Sequence, residues 1–64
     1  MKNPTEQQID DFICEIHIKS DSGRWYAEAL LKDGNQIATA SVLGRKVAMT
    51  VLKDLVAEIL EAQP

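Results

Sequence analysis

Few residues of the chain combine reactive chemistry with a suggestive spacing. Cys14 and His17 offer a thiol and an imidazole, but three residues apart on a strand they lie on opposite faces and form no nucleophile–base pair within one chain. One cysteine and one histidine are too few for a structural zinc site. Glu15 and Glu28 would form a carboxylate pair only on an open sheet face, which provides no enclosed cleft. We therefore predict no catalytic residue, no metal site, no cofactor and no enzymatic activity.

Length and charge exclude further classes of protein. The 64 residues suffice for one small domain, and a composition that is 45% hydrophobic and 27% charged is not that of a disordered tail. The net charge of −3 has the wrong sign for coating nucleic acid, unless the positive charges cluster. The sequence contains no apolar run of the length that a signal peptide or a membrane span needs, so we expect a cytoplasmic protein without a membrane partner.

Hydrophobic periodicity predicts three strands followed by one helix. Apolar and polar residues alternate, as on a pleated strand, over residues 12–19, 24–32 and 35–43. Apolar residues then recur at the three- and four-residue spacing of an amphipathic helix. We predict an α+β fold, in which a three-stranded antiparallel meander carries one C-terminal helix on one face. This single β-β-β-α domain spans residues 9–63, after a flexible polar N-terminal lead-in over residues 1–8.

The turn sequences predict a register for the sheet. Asp33 and Gly34 have the preferred sequence of a two-residue type I′ hairpin, and residues 20–23 have the composition of a four-residue loop. The predicted pairs are Phe12–Leu31, Cys14–Ala29, Ile16–Ala27 and Ile18–Trp25 in the first hairpin, and Trp25–Val42, Ala27–Ala40 and Ala29–Ala38 in the second. All of these residues share one face, with Cys14 as a small core residue. The same register sets Glu15 opposite Glu28, where like charges are destabilising.

The opposite face of the predicted sheet carries a small apolar group. Ile13, Tyr26, Leu30 and Ile37 would lie together on the face that the helix leaves open. A contiguous apolar group on an uncovered sheet is typical of an interface. We therefore consider a protein-interaction or homodimerisation module, such as a small inhibitor or adaptor, that uses this face or an edge strand.

Basic residues that are distant in sequence converge at one end of the predicted meander. This group, which we call the basic pole, consists of Lys19, Arg24, Arg45 and Lys46, next to Gly44. Cations at a helix N-terminus oppose the helix dipole by about 0.3–1 kcal/mol each, whereas an incoming anion would benefit from them and from the free N–H groups. The arrangement predicts binding of phosphate groups.

The order of elements and the start of the last helix resemble the β-β-β-α portion of a double-stranded RNA-binding domain. That family opens its last helix with Lys-Lys-x-Ala-Lys; here Arg45 and Lys46 match the first two lysines, Ala48 matches the alanine, and Met49 replaces the third lysine. The eight residues of the lead-in are too few for the family's first helix. The resemblance implies that Arg45 and Lys46 contact phosphates across a major groove, with the loop between the first two strands near a minor groove.

Two functions therefore follow from the sequence. The first is a small non-enzymatic binding module that contacts nucleic-acid phosphates, those of structured RNA in particular, through the basic pole. The second is the protein-interaction or homodimerisation module described above.

Overall fold

The chain follows the order α1-β1-β2-β3-α2 in a computed structural model that describes residues 3–63. The bounds are Glu6–Phe12 for α1, Ile13–Asp21 for β1, Arg24–Leu31 for β2, Gln36–Ala38 for β3 and Arg45–Ala62 for α2. The strands form one antiparallel sheet in the order β1-β2-β3. The α+β fold predicted from the sequence, a three-stranded meander with a C-terminal helix, is confirmed.

Helix α1 occupies part of the segment predicted as a flexible lead-in over residues 1–8. Thr5 Oγ1 accepts a hydrogen bond from the Gln8 N–H at 3.1 Å, and Gln8 Oε1 accepts one from the Thr5 N–H at 2.8 Å. This reciprocal capping box satisfies two of the backbone donors that a helix start leaves free. The predicted lead-in is therefore wrong from Glu6 onward, while residues 1–2 lie outside the described part of the chain.

A cation on α2 ties α1 to the rest of the domain. Lys53 Nζ lies 3.3 Å from Asp10 Oδ1 and 3.4 Å from Glu6 Oε1. Hydrogen bonds to Asp10 and then to Glu6 raise the pKa of Lys53 above its ordinary value. Solvent-accessible ion pairs of this kind contribute little stability.

The hairpin between β1 and β2 is tighter than the sequence suggested. Ser22 and Gly23 form a two-residue turn in which both have positive φ, 53° and 79°, as a type I′ turn requires. Ile18 consequently lies opposite Ala27, two residues from its predicted partner. A shift of two residues keeps each side chain on its face, so Ile18 still points toward α2.

The loop between β2 and β3 is one residue longer than predicted, and this difference changes the fold more than the shift in the first hairpin does. The Leu31 N–H donates to the Asn35 carbonyl at 2.8 Å, enclosing a three-residue loop with Gly34 at φ 90°. Ala29 therefore lies opposite Ile37 and not opposite Ala38. A shift of one residue reverses every side chain of a strand, so Ile37 faces the helix.

Beyond Ala38 the third strand is irregular. The Thr39 N–H donates to the Ala27 carbonyl at 2.9 Å, and Thr39 Oγ1 accepts the Ala27 N–H at 3.0 Å in place of a backbone carbonyl. The predicted pair of Trp25 and Val42 is nevertheless present, with backbone hydrogen bonds of 2.7 and 2.8 Å. Between Thr39 and Val42 the chain has one residue more than the facing part of β2, and this extra residue restores the predicted register at Val42.

The core lies where α2 crosses β2. Its buried side chains are Ala48, Leu52, Val56 and Leu60 from α2, and Ala27, Ala29 and Leu31 from β2. The alanines allow the helix to approach the sheet closely, so the larger side chains fill the space between them. Among residues 3–63, neither helix is both long and apolar enough to cross a membrane.

Candidate functional site

The topology brings the segments that carry the basic pole to one end of the sheet. β1 ends, β2 begins and the chain leaves the sheet for α2 at this end, where Trp25 pairs with Val42. The Arg24 side chain reaches from β2 to the segment that leads to α2, because its Nη2 donates to the Ser41 carbonyl at 2.8 Å. Strand alternation turns the Lys19 and Arg24 side chains to the face opposite α2.

Two cations of the basic pole are already engaged within the chain. Lys19 Nζ lies 2.7 Å from Glu28 Oε1, and the hydrogen bond and charge of Glu28 raise the pKa of Lys19. Arg24 donates to a carbonyl and lies directly opposite Asp21 in the register. Of these two cations, only Lys19 forms an ion pair with a carboxylate among the described residues.

The start of α2 retains free cations. Gly44 is the N-cap and provides no side-chain hydrogen bond to the first turn, which contains no acidic residue. Arg45 and Lys46 are exposed, and neither forms an ion pair with any residue in the described part of the chain. This turn can hold an anion through N–H groups and two positive charges.

The predicted apolar group on the open sheet face is only half present. Tyr26 and Leu30 lie on that face, but Ile13 and Ile37 point toward the core. Ile37 is reversed by the one-residue shift in the second hairpin, and Ile13 lies opposite Leu31 because β1 is irregular between Ile13 and Glu15. These two residues do not contribute to an interface on the open face.

Polar side chains dominate the open face instead. Glu28 lies opposite His17 and not opposite Glu15, which removes the predicted like-charge pair. Glu15 Oε2 approaches His17 Nε2 at 3.4 Å on the same strand. Within residues 3–63, no group of three or more histidine, cysteine, aspartate or glutamate side chains is arranged to hold a metal ion.

One side of β1 forms a long sheet edge. Among residues 3–63, β1 has nine residues and pairs with β2 alone, whereas β3, at the other edge, has three. In an antiparallel pair, alternate residues bond to the same neighbour. Ala27 and Leu31 bond to the β3 side, so the even-numbered residues Glu28 and Leu30 bond to β1, where they lie opposite His17 and Glu15.

The even-numbered residues of β1 therefore direct their N–H and C=O groups away from the sheet. We call this side of β1, with the backbone groups of Ile16, Ile18 and Ser20, the β1 edge. An unpaired edge of this length readily accepts a further strand. The sequence indicated an edge strand in general terms, but only the register shows which groups face outward.

Helix α2 leaves the side chains along the β1 edge poorly covered. It packs mainly on β2, so Ile16 remains 37% exposed although it faces the helix side of the sheet. Cys14, predicted as a small core residue, is exposed at the irregularity near the start of β1. Apolar side chains and unpaired backbone groups thus occur together on one margin of the domain.

Comparisons with protein-family models, with curated proteins and with solved structures found no match to this chain.

Proposed function

We propose that the protein is a small protein-binding module that captures an extended segment of a partner by strand addition along the β1 edge. The observation that carries this proposal is the nine-residue edge strand, whose outward backbone groups have no partner in the sheet. In strand addition, backbone hydrogen bonds provide affinity and alternate side chains provide specificity.

The side chains of β1 suit this mode of binding. Ile16 and Ile18 face the helix side of the sheet, where a partner strand would cover apolar surface that α2 leaves exposed. Glu15, His17 and Lys19 alternate with them on the open face and offer charges of both signs to select a partner.

A generic strand-forming peptide tests the proposal. The probe is a synthetic peptide of alternating threonine and valine, with lysine and glutamate at its ends. We expect weak binding, with Kd on the order of 1 mM, because such a peptide provides backbone hydrogen bonds but no selected side chains. Binding should shift the amide NMR signals of Ile16 and Ile18 and slow their hydrogen exchange. Shifts confined to other elements, or none at millimolar peptide, would refute the proposal.

Two substitutions of Ile16 separate the contribution of its backbone N–H to peptide binding from that of its side chain. Ile16→Pro removes an outward N–H at an edge where proline is tolerated, so it should weaken peptide binding about tenfold or more. Ile16→Ala removes most of the same side chain but keeps the N–H, and should bind within about threefold of the wild type. Far-UV circular dichroism of both variants verifies that the fold is retained.

Anion binding at the start of α2 is the second candidate function. The uncapped first turn and the exposed, unpaired charges of Arg45 and Lys46 favour it. In an RNA-binding module, this turn would contact the phosphates. Lys19 and Arg24 would contribute less, because Glu28 and Asp21 lie beside them. The net charge of −3 and the two-residue turn between β1 and β2 make it the weaker candidate.

Binding of a fluorescent RNA hairpin, measured by anisotropy over a range of salt, tests this second function. Arg45→Glu should weaken binding several-fold at low salt and flatten its salt dependence by about one phosphate contact. Lys32→Glu changes the net charge equally, but lies beside the hairpin loop that follows β2, so it should have a much smaller effect. Equal effects of the two variants would mean that the net charge alone governs any binding.

A further inference from the structure

A two-fold pairing of two β1 edges is restricted to few registers. The outward backbone groups belong to Ile16, Ile18 and Ser20, so an antiparallel copy must set even-numbered residues opposite one another. Any register that is one residue off would also turn the apolar side chains to the wrong face. The symmetric registers near the middle of β1 are those centred on Ile16, His17 or Ile18.

Ile13 and Cys14 lie at the irregularity of β1, so strand length does not choose between these registers. The register centred on His17 pairs residues 15–19 with the same residues of the second copy. Ile16 then lies opposite the partner's Ile18, on the side of the sheet where Ile16 is 37% exposed. Each copy covers apolar side chains of the other.

Charge complementarity favours the register centred on His17. Centred on His17, each Glu15 lies opposite the partner's Lys19, so two opposite-charge pairs flank the symmetry axis. The register centred on Ile18 sets Glu15 opposite the partner's Asp21, which is repulsive, and the one centred on Ile16 leaves Lys19 opposite the partner's Ile13.

Lys19 is able to take part in a second ion pair. Its ammonium already lies 2.7 Å from Glu28, yet 53% of its side chain remains exposed. The partner's Glu15 would approach from the free side of β1, so that the ammonium lies between two carboxylates. An ammonium has three donors and can satisfy both.

We propose that the partner captured by the β1 edge is a second copy of this chain, joined through antiparallel β1 strands with His17 opposite the partner's His17. The inference rests on the proposed strand-addition function and adds to it the partner and the register. The resulting continuous six-stranded sheet has a closed two-fold interface that leaves no β1 edge exposed.

Charge reversal at two positions tests this register by sedimentation equilibrium. Wild-type protein should dimerise with rising concentration. Glu15→Lys and Lys19→Glu each create two like-charge pairs across the axis, so each should raise the dimer Kd about tenfold or more. An equimolar mixture of the two variants restores opposite charges at both pairs and should form a heterodimer about as stable as the wild-type dimer. The double variant with both changes in one chain should likewise restore the homodimer.

Two controls accompany the experiment. Circular dichroism and thermal melting verify that Lys19→Glu folds, because its new carboxylate lies near Glu28. Asp54→Lys, at an exposed position on α2, reverses one charge to the same extent as Glu15→Lys and should leave the dimer unchanged. A dimer that resists both reversals, or a mixture that fails to recover, overturns the register.

The outcome also separates this inference from the function on which it rests. A wild-type chain that remains monomeric at all accessible concentrations overturns the dimer, and if the threonine–valine peptide still shifts Ile16 and Ile18, strand addition stands. If the chain dimerises while the amides of Ile16 and Ile18 stay unprotected from hydrogen exchange, both the register and the use of the β1 edge are wrong.

Discussion

Leu52→Ala is expected to remove most or all of the stability of the fold, so that a substantial fraction of the protein is unfolded at 25 °C. Leu52 has no exposed surface and lies at the centre of the α2 face that packs on β2. Replacing a buried leucine by alanine costs about 2–5 kcal/mol, through lost burial and the cavity that remains. A single core of this size provides roughly 3–5 kcal/mol, so the change removes most or all of the stability. Urea denaturation, followed by circular dichroism and by the fluorescence of Trp25, measures the loss.

Leu43→Ala is the matched control for this substitution. Leu43 is 78% exposed, so the same chemical change should alter the free energy of unfolding by no more than about 0.5 kcal/mol. If Leu52→Ala were as stable as Leu43→Ala, the packing of α2 on β2 described above would be wrong. Association through the β1 edge would add concentration-dependent stability, so both variants are compared at one low protein concentration.

Thr39→Val is expected to be the second most damaging change, at about 1–3 kcal/mol. Valine has nearly the shape of threonine but no hydroxyl, so the N–H of the buried Ala27 loses the acceptor that Thr39 Oγ1 provides at 3.0 Å. An unpaired buried donor costs more than the hydrogen bond itself contributes, because it has also lost its contact with water. The midpoint of urea denaturation measures the cost.

Thr39→Ser separates the contribution of the Thr39 hydroxyl to stability from that of its methyl group. Serine retains the acceptor and loses only one methyl group, which should cost about 1 kcal/mol or less. The Ala27 amide should remain protected from hydrogen exchange in Thr39→Ser and become exchangeable in Thr39→Val. Equal stability of the two variants would mean that the irregularity in β3 does not depend on this hydrogen bond.

The two hairpins show how far turn sequences determine a register. Ser22 and Gly23 formed a tighter turn than predicted, yet the shift was even, so Ile16 and Ile18 kept their predicted face. Asp33 and Gly34 belong to a three-residue loop, and the odd shift turned Ile37 from the open face to the helix. Because alternation has a period of two residues, an error of one in a loop changes a functional surface, whereas an error of two does not.

Helix α1 could have been found from the sequence. Thr5 followed by Gln8 at the third position is the signature of a capping box, and Ile9 and Phe12 continue at helical spacing. The helix is too short to be stable alone, so its formation depends on packing against the core and on Lys53 of α2. The chain thus has the element order α-β-β-β-α, and α1 contributes three carboxylates and no cation.

The sequence also predicted only part of the candidate sites. The sequence indicated that basic residues converge at one end, because strand order alone determines where strands begin and end. It did not show that Glu28 lies against Lys19, which depends on which residues face each other across β1 and β2. The ion pair removes Lys19 from the freely available cations, and Arg24 is held by the Ser41 carbonyl, so Arg45 and Lys46 are the most accessible charges of the basic pole.

The amino-acid pattern alone determined the fold class, the number of strands and the long final helix, since each depends on local periodicity. The tertiary structure decided the register, the direction of Ile13 and Ile37, and the exposure of the β1 edge. These depend on how distant segments compete for one core, because α2 covers the middle strand and leaves β1 at its margin.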